Sequence, residues 1–544
     1  MGIIYTLLMI GILIFVHELG HFIVAKMMNV KVLKFSLGFG TPVFSFRRGE
    51  TVYQVSWILF GGYVKMLGEN PDEELPPEEA GRSFFNQSPL TRLLIVIAGP
   101  LMNLLFPFLI YYIVYAAPSQ EISNRIGMVM EGRPAEAAGI QNYDRIIEVD
   151  GKRTDYWREL LREISKRPGK TVEMKVERDG KIIALTVNIA EEKEVSKYGF
   201  TQVLGRIGVS PYMPASVIFI PDENSAAYKA GLRSFDQIKK VDGIDAESFF
   251  RLSRILDEKR GREVKLEILR GEEKKKTEIV LTAAPPETLG FEQAELYIYK
   301  VEKDSPADKA GLRAGDKLVS VNGSKLVYFA ELESFFAREP DREHEFGVLR
   351  GSELLNIKVR LEKQVKKDDF KQEYNYFVFG ASNNSYFTDG DIVKKGFSPL
   401  DAIDDAIYET VDVIKATAVG VYQLLTGQIS FKTVGGPIMI FGIAGKAAKK
   451  GMSIFLNVMA LISINLGIIN LLPLPVLDGG HIIMSLIEMI IRRPIPVKAR
   501  VVVNLIGIVM ILALTVLVLF NDIIRYSDDI TSFIVRLFLS LIHI

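Results

Sequence analysis

Four long apolar segments limit what this 544-residue chain can fold into. Crossing the hydrocarbon core of a membrane takes roughly 20 apolar residues in one helix. Each segment reaches that length, and the first is too long and too poor in leading basic residues to be a cleaved signal peptide. The sequence therefore predicts a polytopic α-helical membrane protein with four transmembrane helices, over residues 3–25, 93–117, 454–477 and 501–520.

The loops after the first and third spans carry most of the basic residues near the membrane. The second of these loops contains Arg492, Arg493, Lys498 and Arg500 and no acid. Because basic loops are retained in the cytoplasm, we expect both loops on that side. Both termini and the long region 118–451 are then predicted to be extracytoplasmic.

Charge and residue usage restrict the chemistry. The 66 basic and 66 acidic residues balance, so no basic nucleic-acid-binding surface is predicted. With no cysteine, disulfides and thiolate-bound metals are excluded. A metal would be held by carboxylates and by some of the five histidines, which are His17, His21, His344, His481 and His543.

The extracytoplasmic region contains three copies of one pattern, 80 to 92 residues apart. In each copy an aspartate follows a glycine by five residues, and the glycine of a D-G or N-G turn follows by twelve. Such turns lead into hairpins of alternating strands, and the copies are similar to PDZ domains of the bacterial protease type. We interpret the repeated residues as turn and packing positions: Gly139, Asp144 and Gly151; Gly231, Asp236 and Gly243; Gly311, Asp316 and Gly323.

Two further segments have a membrane-related interpretation. Residues 42–66 read as short strands that turn at Gly49-Glu50, either an ordinary cytoplasmic hairpin or a hairpin whose edge pairs with an extended substrate. Residues 399–428 have helical spacing, with Ile403, Ile407, Val411 and Ile414 on one apolar face. That helix either caps the last repeat or lies on the membrane surface.

The motif His17-Glu18-Leu19-Gly20-His21 carries the chemistry. Residues four apart share one face of a helix, so both imidazoles can bind one ion, with Glu18 alongside as the general base. Ionisable groups inside a membrane span are costly and mark functional sites. The motif therefore predicts a zinc-dependent hydrolytic site within the first span.

A catalytic zinc ion takes three protein ligands, so a third is required from another span. The late segment Asn470 to His481 offers Asp478 and His481 at a similar depth. Its prolines and glycines interrupt the helix, which is tolerated at membrane depth only around a protein-lined cavity. From the residues alone, Asp478 or His481 could complete the site.

HExxH in the first span and NxxPxPxxDG in a late span resemble the site-2 proteases, the M50-type intramembrane zinc metalloproteases. The segments GFGTPVFSF, FGGYVKMLGE, AGPLMN, GGPIMI and LFND extend the resemblance to the bacterial regulator-of-sigma-E protease branch, which has PDZ domains. The resemblance implies one Zn²⁺ ion held by His17, His21 and Asp478, with Glu18 as the catalytic acid–base. It also implies that Asn465 and Asn470 bind the substrate backbone and that residues 42–66 form a membrane-associated β-hairpin.

The function expected from this resemblance is regulated intramembrane proteolysis at the bacterial inner membrane, with the active site near the cytoplasmic side. The partners expected are the lipid bilayer, single-pass substrates such as a pre-cleaved anti-sigma factor or remnant signal peptides, and peptide or chain-terminus ligands of the PDZ-like domains. An inert membrane-anchored PDZ scaffold and a zinc transporter are the alternatives. Three repeats rather than the usual two affect substrate gating.

The domains expected are a membrane half 1–117, PDZ-like domains 118–203, 204–285 and 286–364, a region 365–450 with the amphipathic helix, a membrane half 451–526, and a tail 527–544 with no assigned role.

Overall fold

The computed structural model describes residues 2–69, 75–130, 132–195, 201–212, 216–246, 248–326, 328–329, 331–367, 373–383 and 391–527. The chain divides into two compact units. The membrane unit comprises Met1–Ser119, Lys367–Gln372 and Lys395–Ile544, and the repeat unit comprises Gln120–Lys366 and Glu373–Lys394. His543 and all but the first residue of the predicted tail lie outside the described residues.

Along the chain, the membrane unit begins with a helix, two long paired strands and a second helix. Helix α1 spans Gly2–Met27, strands β1 and β2 span Val32–Arg48 and Thr51–Met66, and helix α2 spans Pro89–Ala116. The turn between the strands falls at Gly49-Glu50, as predicted. Residues 32–37 pair on one side with 52–55 and on the other with 62–66, and residues 42–48 pair with 51–56. The 62–66 segment therefore forms one edge of this sheet.

The repeat unit contains three copies of one topology. In each copy a four-stranded antiparallel sheet has the same strand order, β6-β5-β7-β8, β14-β13-β15-β16 or β20-β19-β21-β22. The first copy contains β3 (Ser119–Ile122), β4 (Ile126–Val129), α3 (Pro134–Ala137), β5 (Arg145–Val149), β6 (Lys152–Arg153), α4 (Trp157–Ser165), β7 (Thr171–Arg178), β8 (Lys181–Asn188), β9 (Ala190–Val195), β10 (Thr201–Arg206) and β11 (Val209–Pro211). The second contains β12 (Ile218–Phe219), α5 (Ala226–Lys229), β13 (Gln237–Val241), β14 (Ile244–Asp245), α6 (Phe249–Glu258), β15 (Glu263–Arg270), β16 (Lys275–Thr282), α7 (Pro286–Leu289) and β17 (Glu292–Gln293). The third contains β18 (Lys300–Val301), α8 (Pro306–Lys309), β19 (Lys317–Val321), β20 (Ser324–Lys325), α9 (Glu331–Arg338), β21 (Glu343–Arg350), β22 (Glu353–Arg360), β23 (Glu362–Lys367), β24 (Glu373–Val378), β25 (Ala381–Ser382) and β26 (Ile392–Lys395).

In each copy, a short strand that precedes the sheet pairs with a strand that follows the sheet. Strand β4 pairs with β11, β12 with β17, and β18 with β25. The domain boundaries expected at residues 203, 285 and 364 stay predictions. In each copy the later strand of the pair, which closes the copy, begins after the boundary expected for that copy. Each copy has its own cluster of buried apolar side chains.

The repeated aspartates are buried and bind arginine. Asp144 is 1% exposed and accepts hydrogen bonds from Arg178, which also donates to the Gly139 carbonyl. Asp236 with Arg270 and Asp316 with Arg350 repeat this arrangement at the same separation of 34 residues. The glycine and aspartate positions are therefore structural, as interpreted from the sequence. His344 stands in a charged stretch of the third repeat, which predicts a surface position, but it is fully buried because it lies on the inward face of β21.

The last five helices of the membrane unit, within the residues that the structure describes, lie between residues 401 and 525. They are α10 (Asp401–Leu425), α11 (Pro437–Lys450), α12 (Met452–Leu471), α13 (Asp478–Ile491) and α14 (Val497–Arg525). Within the described residues, four helices are long and apolar enough to cross a membrane, namely α1, α2, α12 and α14. The predicted spans are thus confirmed, although α12 ends at Leu471 rather than Leu477 because Pro473 and Pro475 cannot continue it.

Helix α10 exposes the face that was predicted to be its apolar contact. Ile403, Ile407 and Val411 are each 39–49% exposed, whereas Ala402 and Ala406 are buried. The helix packs against α2 and α12, and alanine side chains allow such close helix contact. Ile403, Ile407 and Val411 are therefore not the side chains that pack against α2 and α12, and the position of this helix on the membrane surface stays a prediction.

Candidate metal centre

Helix α1 presents two imidazoles toward one point. Because His17 and His21 are one helical turn apart, their side chains share a face. Their Nε2 atoms are 3.2 Å apart and their rings are nearly perpendicular, at 84°. His21 is 9% exposed.

The carboxylate of Asp478 lies against both rings. Its Oδ2 is 3.2 Å from His17 Nε2 and its Oδ1 is 3.6 Å from His21 Nε2. Asp478 is the first residue of α13, after a break at Leu472–Leu477. This break contains Val476 with φ of 78°, a conformation that is strained for a β-branched residue and occurs most often at functional sites.

The spacing of these atoms fits a zinc ion. Ligands about 2.1 Å from a tetrahedral zinc ion lie about 3.4 Å from one another. His17 Nε2 lies 3.2 Å from His21 Nε2 and 3.2 Å from Asp478 Oδ2, which is close to that value, and His21 Nε2 lies 3.6 Å from the other carboxylate oxygen, Oδ1. One ligand atom from each of the three residues lies within 4.8 Å of the others. Imidazole and carboxylate are donors that zinc accepts.

The position of His21 depends on helix α2. Its Nδ1 donates a hydrogen bond to the Ile95 carbonyl over 2.9 Å. Gly99 lies directly behind the ring, because a Cβ atom at this position would lie 2.2 Å from His21 Nε2. Helices α1 and α2 can approach this closely because Gly20 also lacks a side chain: a Cβ there would lie 2.3 Å from the Ala98 carbonyl oxygen.

His17 also has a partner on helix α2, the side chain of Asn103. The Asn103 side chain is 1% exposed, and its Nδ2 lies 3.3 Å from His17 Nδ1. Its Oδ1 is buried without a hydrogen-bond partner among the described residues. If His17 binds a metal through Nε2, Nδ1 carries the proton and requires an acceptor. Rotation of the amide brings the unpaired Oδ1 to that proton, so this orphaned oxygen is explained by a metal-bound His17.

Glu18 lies between the two histidines and the edge of the sheet. The backbone of Val64 hydrogen-bonds to its carboxylate. A Cβ atom on Gly62 would lie 3.1 Å from Glu18 Cγ. The 62–66 edge segment therefore borders the metal centre.

The structure brings together only part of the predicted set. His17, His21 and Asp478 converge, whereas His481 is outside this cluster of described residues. Asn465 accepts a hydrogen bond from Thr417 of α10 over 3.1 Å. Asn470 lies in the last turn of α12, just before the break that leads to Asp478. Neither asparagine is bonded to a ligand of the centre within the described part of the chain.

Two residues of the centre were missed from the sequence. Asn103 and Gly99 belong to the AGPLMN segment, and no role at the metal centre was predicted for either. The one available signal was a small residue and an amide four positions apart in an otherwise apolar span. Because the contact to α1 is made through space, the spacing alone did not identify its partner.

The sequence of this chain matches that of peptidase family M50 over residues 5–514. The regulator of sigma E protease of Haemophilus influenzae is 27% identical over 520 residues, covering 95% of this chain and 97% of the relative. Protease RseP of Yersinia pestis is 29% identical over 527 residues, covering 94% and 96%. A zinc metalloprotease of Ralstonia nicotianae is 28% identical over 526 residues, covering 95% and 96%.

Solved structures match only parts of the chain. The PDZ domain of an SdrC-like protein from Listeria innocua covers 16% of this chain and 93% of its own, at 23% identity and a TM-score of 0.14. A PDZ domain protein from Parabacteroides distasonis covers 45% and 97%, at 11% identity and a TM-score of 0.13.

Proposed function

Because this chain belongs to peptidase family M50 and is an intramembrane zinc metalloprotease, we propose that His17, His21 and Asp478 hold its zinc ion and that Glu18 moves the protons. The observation that carries this assignment is the convergence of three ligand atoms within 4.8 Å. The unpaired Oδ1 of Asn103 supports it, since a metal-bound His17 supplies the missing donor.

The bound zinc ion supplies Lewis-acid chemistry, lowering the pKa of a water to about 7 and polarising the scissile carbonyl. Glu18 accepts the proton of the attacking water and returns it to the leaving amine. The Ile95 carbonyl and the Asn103 amide hold the two imidazoles in the orientation in which Nε2 faces the centre.

The substrate that fits this site is an extended segment of a single-pass membrane protein. A peptide bond inside a helix is shielded, so the substrate unwinds before cleavage. The 62–66 edge segment lies beside Glu18, and an edge of a sheet is where an extended chain can add as a further strand. We assign Asn465 and Asn470 to the substrate backbone, because both lie on α12 before the break that leads to Asp478.

Relatives from Haemophilus influenzae and Salmonella typhimurium are named as regulators of sigma E. On that likeness we assign a pre-cleaved anti-sigma factor or a remnant signal peptide as the substrate class. The three repeats would exclude substrates with bulky outer domains, and their sheet edges could take peptide or chain-terminus ligands. This requires the repeats and both termini outside the cytoplasm, as the basic loops predict.

The first test compares wild type with Glu18→Gln in vesicles that contain a shortened single-pass substrate. Wild type is expected to cut and the variant to lose at least about a hundredfold in rate, while both retain one zinc ion per chain. Glu223→Gln, an exposed change of the same kind in the second repeat, is the matched control. Equal cleavage by the Glu18 variant would refute the assignment.

A further inference from the structure

A cationic cavity opens where α2 begins and α13 ends. Its volume is about 490 Å³, within the range of sites for small ligands. It lies entirely in the membrane unit, at the level where the spans α2 and α14 start at Pro89 and Val497. It is lined chiefly by Ser88, Leu90, Arg92, Glu488, Arg492 and Arg493.

One carboxylate faces several guanidinium groups here. Glu488 is 2% exposed and accepts hydrogen bonds from Arg92, from Arg500 and from the backbone N–H of Ile495. The ring of Phe85 lies beneath both arginines, and its centroid is 5.8 Å from Arg92 Cζ and 4.7 Å from Arg500 Cζ. The single acid is therefore fully engaged by two arginines, and it cannot compensate a third or a fourth.

The remaining positive charge of the cavity is uncompensated. Arg492 and Arg493 are exposed, and among the described residues no acidic side chain lies within ion-pair distance of either guanidinium. Arg92 is 7% exposed, and its Nε is buried without a hydrogen-bond partner in the described part of the chain. The first turn of α2 lines the same cavity and adds the positive end of its dipole.

We propose that this cavity binds the phosphate group of an anionic membrane lipid. Guanidinium groups match phosphate oxygens in geometry and charge. A soluble phosphate would satisfy the same donors. The start of two membrane spans, however, places the cavity at the depth of lipid headgroups, and the exposed Leu90 and Met489 at its rim suit an acyl chain.

A lipid at this position would contact both helices that build the metal centre. Arg92 precedes Ile95, the acceptor of the His21 hydrogen bond, by one helical turn on α2. Glu488 follows Asp478 on α13. The bound phosphate would thus link the ends of α2 and α13, and the lipid site would be a site distinct from the peptide-binding one.

The test uses the full-length protein extracted from vesicles of phosphatidylcholine with added phosphatidylglycerol, with retained lipid counted by mass spectrometry. Wild type is expected to retain phosphatidylglycerol over phosphatidylcholine. Arg492→Gln with Arg493→Gln should reduce that retention about tenfold or more. The control, Arg47→Gln with Arg48→Gln, removes the same charge from the exposed end of β1 and should leave retention unchanged.

The proposal would be overturned if the Arg492–Arg493 variant retained as much phosphatidylglycerol as wild type. It would also be overturned if the control lost as much lipid as that variant, because the loss would then follow from the net charge of the protein and not from this cavity. A second arm adds inorganic phosphate to the extracted protein. Loss of lipid only at a large excess of phosphate supports the lipid assignment. Displacement at equal concentration would assign the cavity to a soluble anion and overturn it.

Discussion

The amide of Asn103 lies against the outer nitrogen of His17, and only its oxygen can accept the proton that metal binding leaves there. Replacing it with leucine keeps the volume and removes the acceptor. We expect Asn103→Leu to weaken zinc binding about 10- to 100-fold. Competition with a chromogenic chelator measures this loss.

Asn103→Asp separates orientation from packing, because it keeps an oxygen acceptor in the same position. We expect this variant to retain zinc affinity close to that of wild type. If the leucine and aspartate variants were equally weak, the hydrogen-bond explanation would be wrong and tight packing around Asn103 would be the cause.

Gly99 decides whether the His21 ring can occupy its place. An added methyl group would lie 2.2 Å from Nε2, so Gly99→Ala should displace the ring and abolish stoichiometric zinc binding. Gly11→Ala is the matched control, since nothing lies within 4 Å of a Cβ there on α1. Metal analysis of the two purified variants makes the comparison; normal zinc content in Gly99→Ala would contradict the structure of the centre.

The residues of the centre differ in how far they could be predicted. His17, Glu18 and His21 are fixed by the geometry of a single helix, so their spacing sufficed. From the residues alone Asp478 and His481 were both open, the family resemblance implied Asp478, and in the structure Asp478 rather than His481 lies with the two histidines. Asn103 and Gly99 act on a different helix, and no local pattern identifies such a contact.

At the scale of elements, amphipathic spacing predicted the helix α10 but not which of its side chains pack against other helices. The periodicity correctly predicted a helix, but the large apolar side chains face outward and alanines make the contact. Inside a membrane, lipid is as apolar as leucine, so small residues rather than large ones mark the packed face. The arginine of each Asp–Arg pair was equally overlooked, although its constant separation of 34 residues was present in all three copies.

The carboxyl group of Glu295, at the start of the third repeat, makes the free energy of unfolding of that repeat depend on pH. Burial raises the pKa of Glu295 to about 7, and nearby Glu331 adds to it, against a hydrogen bond from the Phe329 N–H. The unfolded chain ionises this group near pH 4.5, so the free energy of unfolding should fall as pH rises from about 4.5 to about 7, by up to about 3 kcal/mol. Glu295→Gln should remove this dependence and stabilise the repeat at pH 8.

Denaturant titration of the full chain at pH 5 and pH 8 measures this difference. Glu302→Gln, an exposed change in the same repeat, is expected to keep the dependence of wild type. A dependence that survives in Glu295→Gln would show that another group is responsible.

At the scale of the whole molecule, the proposed zinc ligands His17, His21 and Asp478 all belong to the membrane unit. Trp157 is buried in the core of the first repeat, so its fluorescence reports on the repeat unit. The other tryptophan, Trp57, is 73% exposed in the membrane unit. In a Trp57→Phe background, removal of zinc by a chelator should leave the thermal transition of Trp157 fluorescence unchanged. Proteolysis should vanish and return when one equivalent of zinc is added.

A shift of the Trp157 transition on chelation would contradict the independence of the two units. The general organisation of both was predictable, because span length and repeat spacing are linear properties of the sequence. The strand that closes each copy was not predicted, since it pairs with a strand more than 70 residues earlier in the chain.

Each repeat contains its own turn, its own buried aspartate and the arginine that neutralises it. A copy therefore needs no charge partner from a neighbouring copy to satisfy its buried acid. Gene duplication can add or delete such a copy without compensating substitutions at that position. Whatever the number of copies in the array, the charge of each buried aspartate is balanced within its own copy.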